Sequence, residues 1–297
     1  MNRCENFHPM RILSPFLSTL LLLFLYGCDG ADTSSAESEA AMPETEEAIE
    51  EELVPANMAP EFVDVLEAHG SLDTWTNAEG LSFLVRDFPT GDGDRTMTDF
   101  HKINLGNRYH QIEGDDYEIV SRGDTTWVTP DVGVTGLPPR MYQGASFYLM
   151  GMPFVFADQG ITITYDGETE FGEETLDQFS VQVPDDMGDG GNDYQLYADT
   201  SSHQLQYGTW FVAYPAVAEQ NLRQMVEFQE WQDVDGLILP SVITLYTAPD
   251  EITDGTPGAT IAFERVALSE RPFEESVFSQ PDGAVVDNSA SGGSSMK

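Results

Sequence analysis

Lysine is nearly missing from this chain. It occurs only at Lys102 and Lys297, so arginine supplies almost all of the 12 basic residues that face 52 acidic ones, and the formal net charge is −40. That balance excludes a nucleic-acid surface, which needs clustered Lys and Arg to meet phosphates. Cysteine is as scarce, with Cys4 and Cys28 alone. No apolar run is long enough to span a bilayer: Pro15 to Tyr26 is about a dozen residues, and a spanning helix needs about 20. Sequence signatures of catalysis are missing too. His69, His101, His110 and His203 have no His-Glu-x-x-His or Cys-x-x-Cys partners, and they read as surface or hairpin histidines. There is no Gly-x-Ser-x-Gly elbow and no phosphate-binding glycine loop, and the Ser-x-x-Lys match Ser294-Ser-Met-Lys297 sits at the end of a Ser/Gly tract with no site around it. Asp92, Asp94 and Asp99, and Asp185, Asp186, Asp189 and Asp193, lack calcium-loop spacing and read as solvated turns. The expectation is a chain with no metal, no cofactor and no enzymatic activity.

Hydrophobic residues make up 40% and aromatics 11%, enough to fill a core. The acid excess with few lysines reads first as a solvated, halophile-type surface whose self-repulsion salt would screen. At the N-terminus, Arg3 and Arg11 precede the short apolar run, and the run ends Leu25-Tyr26-Gly27-Cys28. A basic flank, a short apolar stretch and a small residue at its end make an export signal. Leu25 to Cys28 resembles the lipobox of bacterial lipoproteins, with Tyr26 bulkier than usual at its position; the alternative is a plain signal peptide with an incidental cysteine. Met10 is a second candidate start. Processing before Cys28 would leave 10 basic and 51 acidic residues and one cysteine, so no internal disulfide. Residues 1–27 are therefore read as a lipoprotein signal peptide, Cys28 as the lipid attachment site, and 28–57 as an acidic disordered tether. Residues 58–281 form the folded domain and 282–297 a disordered tail.

Pro60 opens a helix with Phe62, Val65 and Leu66 on one face and Gly70 as its stop. From Leu81 the period is two, as in Leu81/Phe83/Val85, Ile161/Ile163/Tyr165, Phe179/Val181/Val183 and Val226/Phe228. About ten antiparallel strands separated by Asp/Gly turns follow from this. Pro138 to Phe156 breaks the pattern, with Met141, Ala145, Leu149 and Met152 at helical spacing, and is expected to lie as a helix across the apolar face of the sheet.

Val65-Leu-Glu-Ala-His-Gly-Ser-Leu-Asp-Thr-Trp75 before the first strand is similar to the opening of LolA/LolB-like exported proteins. Phe147-Tyr-Leu-Met-Gly-Met-Pro-Phe-Val-Phe-Ala-Asp158 resembles the mid-chain segment of a lipid-anchored branch of that superfamily. Tyr194 to Leu205, Trp231 to Pro240 with Ile243 to Tyr246, and Pro272 to Phe278 resemble its later hairpins and its close. The resemblance spans about Pro60 to Pro281. It implies a mainly β fold: a strongly curved antiparallel sheet forming an unclosed half-barrel, with an N-terminal helix and a mid-chain helical lid over an apolar cavity. It also implies an acyl chain or other apolar ligand, lipoprotein or lipid handling, and a cell-envelope location through the lipid anchor at the outer membrane, on either face. Phe147, Tyr148, Met150, Met152, Phe154 and Phe156 are the candidate ligand-binding residues, since Met and aromatics adapt to irregular chains. The same side chains would equally fill a packed core. The alternative is then a structural or interaction lipoprotein with no ligand.

Overall fold

The computed structural model describes residues 57–90, 95–172, 174–184, 187, 193–247 and 256–290. The expected signal peptide, Cys28, the tether up to residue 56 and the Asp-rich turns around residues 91–94 and 185–192 lie outside the described residues, apart from Met187.

Helix α1 (Pro60–Ala68) starts on Pro60, whose missing N–H has no partner to lose at that position, and buries Phe62, Val65 and Leu66. Its end rests on the β10–β11 turn described below. Gly70 has φ +107°, and a Cβ there would come within 2.4 Å of the Gly236 carbonyl oxygen, so glycine is what lets the two turns touch. Helix α2 (Leu72–Asn77) is capped by Ser71, whose hydroxyl accepts from the Asp73 N–H at 3.1 Å.

Thirteen strands follow among the described residues: β1 (Gly80–Pro89), β2 (Thr96–Asn104), β3 (Tyr109–Glu113), β4 (Glu118–Arg122), β5 (Thr125–Thr129), β6 (Thr162–Phe171), β7 (Glu174–Gln182), β8 (Asp193–Asp199), β9 (Leu205–Phe211), β10 (Arg223–Val234), β11 (Leu237–Thr247), β12 (Thr256–Ser269) and β13 (Val285–Val286). They form one sheet in the order β13-β5-β4-β3-β2-β1-β12-β11-β10-β9-β8-β7-β6, antiparallel at every pairing. The ends β13 and β6 do not pair, so the sheet is an unclosed half-barrel. Register shifts in β1 and β10 bend their strands, because an extra residue on one strand sharpens the local twist. Leu81, Phe83 and Val85 of β1 are fully buried, as the alternation requires.

Four expectations need correction. Asp99 is not a solvated turn residue: it lies within β2 and is buried. The mid-chain helix does not run from Pro138 to Phe156. Helix α3 (Pro139–Gly151) ends before Pro153, and a separate 3-10 turn (Phe154–Ala157) follows. Proline has no N–H to extend the ladder and crowds the residue before it out of helical geometry. The stretch from Asp282 is not tail throughout: Val285 and Val286 pair with Val128 and Trp127 of β5. Nor are three of the four described histidines superficial; only His203 is, in the β8–β9 turn. His69, His101 and His110 are all buried, because His101 and His110 share the inward phase of Ile103 and Ile112. His69 closes α1, with Nδ1 2.8 Å from the Val65 carbonyl oxygen, while the Leu205 N–H points at Nε2 from 3.4 Å. One donor and one acceptor partner make it the neutral Nδ1–H tautomer, and burial lowers its pKa to about 4.

Candidate binding site

The concave face is filled by side chains from the sheet and α3. Of the six candidate ligand residues, Phe147, Met150, Met152, Phe154 and Phe156 are buried in this core, and Tyr148 packs against it. Phe156 lies 4.9 Å from the Tyr194 ring and Tyr148 stacks parallel to Tyr194 at 6.1 Å. Gly151 lets the end of α3 approach, since a Cβ would come within 2.4 Å of Val155 and 3.3 Å of Trp75.

Beside this core is an open cleft of about 470 Å³, between α2, the turn after β2 and the 3-10 turn after α3. Its apolar walls are Leu72, Trp75, Leu105, Phe154, Ala157 and Pro272. Trp75 and Phe154 form a stacked pair, centroids 5.5 Å apart at 16°, an arrangement worth about 1 kcal/mol beyond burial. The Leu105 N–H donates to the Glu79 carbonyl at 2.9 Å, which ties the β2 end to the start of β1. The Asn104 side chain holds the Pro272 wall in place, with Nδ2 donating to the Phe273 carbonyl at 3.2 Å and Oδ1 accepting the Phe273 N–H at 2.7 Å. Phe154 is the one candidate ligand residue that lines the cleft.

The polar end of the cleft is Arg108, with Asp158 opposite. Arg108 has φ +58°, in the turn closed by its N–H to the Asn104 carbonyl at 2.8 Å. Its Nη2 donates to both Asp158 oxygens, at 2.7 and 2.8 Å, and its guanidinium lies 4.7 Å from the centre of the Phe147 ring. Nη1 is buried with no partner, the only such side-chain atom among the described residues. Burial raises the Asp158 pKa, opposed by Arg108, and burial then Asp158 raise that of Tyr148. Glu79, Arg108 and Asp158 leave the lining at a formal −1. The arrangement offers apolar contact along most of its length and a neutralised ion pair at one end. It can hold an apolar chain by burial, and it contains no nucleophile–base pair.

Residues 72–79, 104–108, 154–158 and 272 meet here from four parts of the chain, and nothing in their spacing marks them as neighbours. Trp75 was legible as the end of the helical opening, not as a cleft wall. Among the described residues no group of three His, Cys, Asp or Glu side chains is placed to hold a metal ion, and no helix is long and apolar enough to cross a membrane.

No protein-family model matches the chain, and no curated protein matches it in sequence. Among solved structures, the chain is similar to a LolA superfamily protein from Nitrosomonas europaea at 11% identity and TM-score 0.44, over 73% of this chain and 97% of that one. A DUF1329 family protein from Desulfovibrio piger ATCC 29098 aligns at 10% identity and TM-score 0.40, covering 74% and 95%. A putative outer membrane lipoprotein-sorting protein domain from Vibrio parahaemolyticus aligns at 10% identity and TM-score 0.38, covering 71% and 95%.

Proposed function

We propose that the protein is a non-enzymatic, lipid-anchored protein of the cell envelope that holds an acyl chain or similar apolar ligand in the cleft beside α2. The observation that carries this reading is the lining of the cleft. Leu72, Ala157 and Pro272 leave apolar surface, over the buried Trp75, Leu105 and Phe154, around a volume of about 470 Å³, within the range of small-molecule sites. Each methylene buried there is worth about 0.8 kcal/mol. Eight of them give about 6 kcal/mol before the cost of ordering the chain, which supports reversible rather than permanent binding. Lipoprotein or lipid handling fits a weak, exchangeable site.

The anchor is proposed from the lipobox. With Cys28→Ser the protein stays unprocessed and takes up no palmitate analogue; unchanged labelling and unchanged membrane fractionation would exclude the anchor. The outer membrane is the proposed location.

A second reading has its own support. The concave face is packed by Phe147, Met150 and Phe156, as suits a structural or interaction lipoprotein whose outer surface does the work. Native mass spectrometry of the purified protein separates the two. Co-purified lipid, displaced by an added fatty-acid ester, supports the binding reading. Bare protein that takes up no apolar probe supports the structural one.

A further inference from the structure

A buried polar cluster lies between α3 and the sheet, away from the cleft lining. Asp99 and His101 come from β2, His110 from β3, Tyr117 from the turn before β4, and Tyr142 from α3. Asp99, His101, His110 and Tyr142 are 2%, 0%, 5% and 0% exposed. Asp99 is surrounded by donors: His101 Nε2 at 2.7 Å, the Tyr142 hydroxyl at 2.8 Å from both oxygens, and the Tyr117 hydroxyl. His101 Nδ1 lies 2.9 Å from His110 Nε2. The next residue on α3 adds two more ties, since Gln143 Nε2 donates to the His110 carbonyl at 3.0 Å and its Oε1 accepts the Ser121 hydroxyl. The first turn of α3 is thus held on the sheet by polar side chains, and the rest by Phe147, Leu149 and Met150.

The string accepts a limited number of protons. With its Nε2–H on Asp99, a neutral His101 presents Nδ1 as an acceptor to a His110 N–H. One added proton fits on His101 if His110 shifts its own proton to Nδ1. A second sets two N–H groups against each other 2.9 Å apart, in a site closed by the Phe83 ring stacked 4.6 Å from His101. No other charge in the cluster absorbs it. Asp99 is the only carboxylate bonded to the string, while Asp116 and Arg95 act on Tyr117 with opposite sign. Asp158, beyond the far end of α3, is paired with Arg108.

We propose that this cluster is a proton-linked clasp on α3: it holds the helix at neutral pH, and its opening takes up a proton at His110, so acid loosens the helix without unfolding the sheet. Burial, and then His101, already hold the His110 ring well below its ordinary pKa while the clasp is shut. Lifting α3 takes Tyr142 off Asp99 and His101 and Gln143 off the His110 carbonyl, which opens the cluster to water and returns the ring to ordinary behaviour near 6.5. Opening is then favoured by up to tenfold per pH unit below that value for each proton taken up. A consequence for the ligand rests on the function proposed above, because α3 leads through Met152 and Pro153 into Phe154 and Ala157 of the cleft wall. The clasp itself does not rest on it.

Amide hydrogen exchange on the unliganded protein, corrected for the intrinsic effect of pH, tests the clasp directly. Amides 142–151 should be less protected than those of β10 at pH 7.5, and their opening equilibrium should rise roughly eightfold from pH 6 to pH 5 for one proton. His110→Gln, neutral at every pH, should flatten that rise. Tyr142→Phe, which removes the hydroxyl that joins α3 to Asp99, should lower α3 protection at pH 7.5 while β10 stays protected, and it decides the matter by itself if His110→Gln does not fold. The proposal is overturned if α3 and β10 exchange together at every pH. It is also overturned if α3 opening is flat between pH 6 and 5, if His110→Gln keeps the slope, or if Tyr142→Phe leaves α3 protection unchanged.

Discussion

His69 should make the domain sensitive to acid, by an amount that follows from its surroundings. The ring is buried at the end of α1, between the Val65 carbonyl and the Leu205 N–H, in a T-shaped contact with the Trp231 ring, centroids 4.5 Å apart. The folded protein binds a proton there only near pH 4, whereas the unfolded chain does so near the ordinary 6.5. Stability from the neutral ring is therefore full above pH 6.5 and drains away as pH falls to about 4, where the folded state also takes the proton. A gap of about 2.5 pH units at about 1.4 kcal/mol each gives a loss of about 3 kcal/mol across that window. His69→Gln removes the titration. The variant should be less stable at pH 8 by about 1–3 kcal/mol, because one of the two buried backbone partners loses its bond. Its deficit should then shrink by about 3 kcal/mol between pH 7 and pH 4. Urea unfolding of both proteins across that range, at constant salt, reads the difference directly, since carboxylate titrations common to both cancel. Parallel stability curves would show that the ring does not stay neutral and that the burial argument is wrong.

Met150 is fully buried under α3 and away from the cleft lining, so Met150→Ala should cost about 2–5 kcal/mol of stability while leaving the affinity for an apolar probe unchanged in the folded fraction; a probe loss at unchanged stability would return it to the ligand site. Thermal scans from 0.1 M to 1 M salt should show a rising Tm, because the screening length falls from about 10 to about 3 Å around a surface carrying 40 excess negative charges. A flat Tm would mean that the acidity serves a partner rather than a saline medium.

The sheet was legible because its strands keep strict alternation. Leu81, Phe83 and Val85 face inward as read, and the Pro60 helix buries the three residues its spacing selects. The same period could have placed His101 and His110, which stand two positions from Ile103 and Ile112. Missing metal partners carry no information about burial, whereas the phase of the strand does. The apolar surplus of Phe147 to Phe156 was visible, and its meaning was not: consecutive apolar residues are what a segment buried against both the sheet and its own following turn requires. Val285 and Val286 are two residues in a Gly/Asp/Ser-rich stretch, too short for any period to register. The cleft was not legible at all. Its walls come from α2, the β2–β3 turn, the turn after α3 and Pro272, from Leu72 to a residue 200 positions later, and only the folded sheet brings them together.

The central claim is that the cleft, and not the filled concave face, receives an apolar chain. Ala157 lines the cleft and lies at the end of the 3-10 turn, so Ala157→Trp fills the space from its wall. A fluorescent fatty-acid ester titrated into the protein, wild type beside Ala157→Trp, measures the claim at one site. The wild type should bind saturably and one-to-one, and the variant should respond at least tenfold more weakly, about 1.4 kcal/mol, with its Tm within a few degrees of the wild type. No saturable binding by the wild type, or equal binding by a folded Ala157→Trp, would contradict the claim.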